Sequence, residues 1–129
     1  MPRKPSSQPN DVELAILRAM WRRGSASVRT IHDDLSRHRK TGYTSTLKMM
    51  QVMCAKGLLK REPSGRPRLY RPAIPEAQTQ RAMLSDLIHR VFDGSARKLV
   101  MRAVETHHIS AAEAAEIRDL LDRTQREEP

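Results

Sequence analysis

The sequence predicts a mainly α-helical chain carrying one small β-hairpin, and three observations lead to that expectation. Aromatic residues make up only 3% of the 129 residues, so the core must rest on Leu, Ile, Val, Met and Ala, which suits packed helices better than a β-sandwich. Apolar residues recur at helical spacing in successive stretches, several of them opened by a capping residue and closed by glycine. One stretch, residues 58–73, breaks this rhythm and reads as two short strands around a Pro-Ser-Gly turn.

Asn10 with Glu13 three residues on resembles a capping box, and Val12, Leu14, Ile16, Leu17, Met20 and Trp21 follow at helical spacing until Gly24 stops the helix. Ser25-Ala26 suits a brief extended bridge. Ser27 then caps a second helix to about Arg37, burying Val28, Ile31 and Leu35. His38-Arg39-Lys40-Thr41-Gly42-Tyr43 breaks the pattern. Thr44 or Ser45 opens a third helix that runs to Lys56 and stops at Gly57, with Leu47, Met50, Met53 and Cys54 as its core stripe and Ser45, Lys48 and Gln51 on a more polar face. Leu58 to Glu62 and Arg68 to Ala73 are the two strands, with Leu69 and Tyr70 on opposite faces. Helix, bridge, helix, helix and hairpin, in that order, make a winged helix-turn-helix.

Pro75 suits the start of a fourth helix carrying Leu84, Leu87, Ile88, Val91 and Phe92 and ending at Asp93-Gly94. Ser95 caps a shorter helix with Leu99 and Val100. Ser110 and Glu113 form a capping box for a last helix with Ile117, Leu120 and Leu121. The hairpin is too small to cover these three helices. The same segment of a second subunit is the simplest cover, so these ten apolar residues are the expected dimer interface. The organisation predicted is a disordered basic tail over 1–10, a winged-helix DNA-binding domain over 11–73, a helical dimerisation domain over 74–124 and a disordered tail over 125–129.

Charge is distributed unevenly between these parts. Residues 1–73 hold 16 Lys+Arg against 5 Asp+Glu, a net +11, and residues 74–129 hold 8 against 10, a net −2, which together give the chain's formal +9. A DNA-contacting half joined to a near-neutral partner-contacting half has this distribution. A helix-turn-helix places its second helix in the major groove, with the free amides of that helix's N-terminus towards a phosphate. The residues expected to bind DNA there are Arg39, Lys40, Thr41, Tyr43, Thr44, Ser45 and Thr46, followed by Lys48 and Gln51, whose side-chain types pair with guanine and adenine edges. Arg66 and Arg68 of the wing should contact phosphates or the minor groove.

The single cysteine, Cys54, allows no intrachain disulfide, and no apolar run approaches the length of a membrane span, so the cytoplasm is the expected compartment. An enzyme that processes nucleic acid needs clustered acids or histidines. The basic half has few acids, and Asp33-Asp34 diverge on one helix. His107 and His108 are adjacent and do not share a helix face, so neither a metal nor a cofactor is expected. The alternative from another class is a winged-helix module that binds a protein and not DNA.

The run Arg39 to Leu47 with its Thr-Gly-Tyr-Thr turn, the Lys56-Gly57-Leu58-Leu59 run and the wing resemble the penicillinase-repressor family, of the BlaI/MecI type. The resemblance continues through Val91-Phe92-Asp93-Gly94-Ser95, Leu99-Val100 and Glu116 to Leu121, and covers the chain from Val12 to Arg123. It implies a homodimeric repressor on a palindromic operator, often with TACA/TGTA half-sites, that controls β-lactam resistance or a related stress response. It also implies a membrane sensor-linked protease as a partner that releases the DNA by cleavage in the dimerisation segment. The family's cleaved Asn-Phe dipeptide aligns with Arg102 and Ala103, which hold the regulatory cleavage position with a different sequence. Copper-responsive relatives carry a C-terminal Cys-X-Cys cluster that residues 123–129 lack.

Overall fold

The computed structural model describes residues 8–127. Most of the expected 1–10 tail therefore lies outside the described residues. Among the described residues, six helices and a two-stranded sheet follow in the order α1 (Asp11–Arg23), α2 (Val28–Ser36), α3 (Tyr43–Ala55), β1 (Leu59–Arg61), β2 (Tyr70–Pro72), α4 (Glu76–Val91), α5 (Ala96–Thr106) and α6 (Ala111–Glu127). The mainly helical architecture with one hairpin is the one the sequence predicts. The chain divides into one unit ending at Leu84 and another beginning at Ser85. That division falls later than the junction after residue 73 expected from sequence, and α6 continues through residues 125–127 of the expected tail.

In the first unit, α1 opens with the full capping box: the Asn10 side chain accepts from the Glu13 amide, and the Glu13 carboxylate accepts from the Asn10 amide, both at 2.9 Å. Gly24 closes the helix at φ 81°, a left-handed conformation that glycine adopts without a Cβ penalty. Ser27 caps α2 by accepting from the Thr30 amide. The bridge expected at Ser25-Ala26 forms as a reciprocal pair of backbone hydrogen bonds between Ala26 and Tyr70 at 2.8 and 2.9 Å. It ties the α1–α2 connection to the hairpin. Strands β1 and β2 are antiparallel, pairing Leu59 with Pro72, Lys60 with Arg71 and Arg61 with Tyr70. The named strands are shorter than expected, but backbone hydrogen bonds extend the pairing at both ends, from the Glu62 amide to the Leu69 carbonyl at 2.8 Å and from the Ala73 amide to the Leu58 carbonyl at 2.9 Å.

One core serves these elements. Ile16, Leu17 and Met20 of α1, Ile31 and Leu35 of α2, Met50 and Met53 of α3, and Leu58, Leu59 and Tyr70 of the hairpin are buried together. Trp21 fills one edge and donates from Nε1 to the carbonyl of Ile74 at 3.1 Å. In the second unit Ser95 caps α5 by accepting from the Lys98 amide, and Ser110 and Glu113 form the expected capping box of α6. Neither α5 nor α6 contains a single buried residue. No described helix is long and apolar enough to cross a membrane.

Candidate nucleic-acid interface

Helix α3 has an amphipathic cross-section with a shallow bias. Met50 and Met53 are fully buried, Leu47 and Cys54 are half-buried, and Thr44, Ser45, Lys48, Gln51, Val52 and Ala55 are exposed. The exposed set recurs at spacings of three and four, so Thr44, Lys48, Gln51 and Ala55 form one strip along the helix. The N-cap is Gly42, which offers no side-chain oxygen to the first amides. The first turn of α3 therefore keeps free N–H donors at the positive end of its dipole, an arrangement that accepts a phosphate.

Thr46 does not belong to this surface. It is only 2% exposed, and its hydroxyl donates to the Gly42 carbonyl at 3.2 Å. The sequence expectation that it contacts DNA is corrected: the threonine faces the core one turn in and satisfies its hydroxyl on its own backbone. Arg39 is exposed and lines a cleft with Ala15, Arg18 and Arg22 of α1. Lys40 is exposed and Thr41 half-buried in the connection to α3.

Tyr43, the first residue of α3, is held by α2. The Arg29 guanidinium sits 4.6 Å from its ring centroid, within cation–π range, and the His32 ring meets it edge-on at 5.8 Å and 79°. Arg29 is exposed and lies next to Ser27 and Val28 at the N-terminal end of α2. Sequence reasoning missed it, because nothing in the local pattern links it to Tyr43. The only available signal was a basic residue on the exposed side of the first turn of α2.

The wing closes on this helix. Ser27, Val28 and Arg29 of α2, Tyr43 and Leu47 of α3, and Pro67, Arg68 and Tyr70 of the hairpin line one groove of about 200 Å³. Arg66 is exposed at the wing turn. Arg68 is half-buried and donates from one guanidinium nitrogen to the Glu62 carbonyl at 3.1 Å, so it spans the base of the turn. Glu62 also pairs with Arg71 at 3.6 Å.

The far end of α3 is anchored as well. Glu13, 1% exposed, uses its second oxygen to accept from Lys56 Nζ at 2.9 Å, the ammonium following directly on α3. The sequence marked Glu13 as a capping residue only. Its partner lies 43 positions away, and no local pattern reveals it. At the other side of the first unit, Arg23 of α1 grips Asp34 of α2 through two hydrogen bonds at 2.7 and 2.8 Å. The hydrogen bonds from Arg23 hold the Asp34 carboxyl below the usual carboxylate range. Burial raises the Cys54 thiol above its ordinary value, which suits a packing residue.

The ten expected interface residues are also placed. Leu84, Leu87, Val91, Val100, Ile117, Leu120 and Leu121 are exposed large hydrophobics, whereas Ile88, Phe92 and Leu99 are half-buried. Met101 and Val104 add to the exposed set. Arg102 and Ala103 lie exposed within α5, and Arg102 pairs with Glu105 one turn on at 3.0 Å.

Two comparisons with known proteins bear on this geometry. A family model described as penicillinase repressor matches residues 10–123. Among curated proteins the chain is similar to the penicillinase repressor of Bacillus licheniformis, with 23% identity over 115 residues, covering 89% of this chain and 90% of the relative.

Proposed function

The chain belongs to the penicillinase-repressor family, and from that premise we propose that it represses transcription as a homodimer bound to a palindromic DNA operator. The observation that carries the reading is the exposed polar strip of α3 (Thr44, Ser45, Lys48 and Gln51), set beside the basic wing in the half of the chain with net +11. Lys48 and Gln51 read base edges in the major groove. The free amides at the start of α3, with Lys40, Thr41 and Tyr43, hold a phosphate. Arg66 reaches the flanking backbone or minor groove, and Arg29 joins this set from α2.

The dimer half of the proposal rests on the second unit. Helices α5 and α6 contain no fully buried residue within one chain, yet each carries an apolar stripe. An isolated helix of 11 residues, the length of α5, is marginal in water, so a second copy is the natural source of the missing packing. Two reading heads joined in this way match two half-sites one helical turn, or a multiple of it, apart.

Selection of bound duplexes from a random pool tests the reading. An inverted repeat, bound with an affinity that falls steeply as salt rises, is the expected result. A pool that yields no consensus, or binding indifferent to salt, would favour a protein-interaction module and overturn the proposal.

A further inference from the structure

A second basic feature of the first unit lies between α1 and the C-terminal end of α2. Arg18 and Arg22 of α1, Asp34 of α2, and His38 and Arg39 of the connection into α3 surround a cleft of about 260 Å³. A neighbouring cleft of about 220 Å³ shares Arg22, Asp34 and His38 and adds Arg23 and Arg37. This pair of clefts has no lining residue in common with the groove between α2, α3 and the wing.

The charge in the clefts is unbalanced. Asp34 is their one carboxylate, and Arg23 already occupies both of its oxygens. None of Arg18, Arg22, Arg37 and Arg39 has a carboxylate at salt-bridge distance among the described residues. Helix dipoles explain part of the gathering, since Arg22 and Arg23 sit in the last turn of α1 and Arg37 caps α2. They do not explain Arg18, which precedes the last turn of α1 yet faces the same cavity as Arg39.

We propose that this cleft binds a diphosphate group, either free or as part of a nucleotide. Guanidinium forks match phosphate oxygens bidentately, and several forks around one concavity suit an anion with more than one charge. The space would hold roughly eight waters at about 30 Å³ each, more than one phosphate group fills. The site stands apart from operator reading, although His38 and Arg39 belong to the connection that leads into α3.

The test is isothermal titration of the full-length protein with pyrophosphate, ADP and sulfate at matched ionic strength, repeated on R18Q/R22Q. Both arginines are exposed, so the variant should keep the parent's melting temperature. The expected result is one pyrophosphate per chain, bound at least tenfold more tightly than sulfate, and at least tenfold more weakly by R18Q/R22Q. Operator affinity of the variant in phosphate-free buffer should stay within twofold of the parent. ADP binding more tightly than pyrophosphate identifies a nucleotide as the source; weaker binding identifies the free anion. Pyrophosphate binding that survives R18Q/R22Q, or that merely equals sulfate binding, overturns the proposal. So does a variant with weaker operator binding and a shallower salt dependence, which would assign the cleft to duplex backbone.

Discussion

Replacing Leu120 and Leu121 together by glutamate should separate the repressor into monomers. Each leucine is 57% exposed in the single chain, so more than half of its surface is still available for burial. Complete burial of a leucine side chain is worth roughly 1.5–3 kcal/mol, which leaves about 0.9–1.7 kcal/mol for each to gain at an interface. A two-fold dimer uses each leucine twice, so four side chains contribute about 3.5–7 kcal/mol. Losing that amount raises the dimer dissociation constant by roughly 300-fold to 100,000-fold, before the cost of burying carboxylates is added. Sedimentation equilibrium measures the constant, and circular dichroism checks that helix content is retained. Operator affinity should fall with dimerisation, whereas binding to a single half-site should change little. A dissociation constant within tenfold of the parent would show that this face of α6 is not what joins two copies.

Four further outcomes follow from the first unit. Lys48→Ala should weaken operator binding by about 1–3 kcal/mol while leaving the dimer intact, and an unchanged gel-shift titration would remove Lys48 from the interface. Arg29→Ala should lower the salt slope of operator binding by about one and weaken binding to all sequences alike; a loss confined to one base position would contradict a phosphate role. Lys56→Met should cost about 1–3 kcal/mol in urea unfolding, because it removes the cation from a carboxylate that is 1% exposed and leaves it only the Asn10 amide, whereas E13Q/K56M should recover most of that loss. Asp34 is an acid with a lowered folded pKa, so its pairing with Arg23 stabilises the fold above the ordinary carboxylate value and is lost as pH falls through the folded value. The stability gap between the parent and Asp34→Asn, about 1 kcal/mol at neutral pH since Arg23 is partly exposed, should therefore begin to narrow below about pH 4 and shrink further as pH falls through the lower folded value. A gap as wide at pH 2 as at neutral pH would deny the pair that role.

Local signals were legible in the sequence and distant pairings were not. The capping boxes at Asn10/Glu13 and Ser110/Glu113, the Ser27 and Ser95 caps and the glycine stop at Gly24 all involve residues close in sequence, and each is found as read. The bridge at Ala26 was readable because Ser-Ala between two capped helices leaves room for little else. What the sequence hid is where α3 turns its sides. The helix is apolar enough that Thr46 looked like a continuation of the Thr-Ser surface, whereas helical rotation carries it into the core beside Met50 and Met53. The run Arg39-Lys40-Thr41 gives no sign that Arg39 also lines a cleft with α1, which only the packing of α1 on α2 creates. Arg29 against Tyr43 and Glu13 with Lys56 cross between helices, and only tertiary packing creates them.

Those two missed contacts have a common consequence for reading DNA. Helix α3 itself has weak amphipathicity, with Val52 exposed and Leu47 only half-buried, so core packing alone defines its rotation poorly. Its two ends are fixed by other means: Tyr43 lies against Arg29 and His32 of α2, and Lys56 pairs with the buried Glu13 of α1. A helix pinned at both ends cannot roll without breaking a ring contact or exposing a buried carboxylate to an apolar neighbourhood. The strip from Thr44 to Gln51 is therefore aimed before any ligand arrives, which lowers the ordering cost of binding. Glu13 connects the start of α1, the end of α3 and its own cap through one side chain, so the same residue that opens the fold also fixes the angle of the helix that reads.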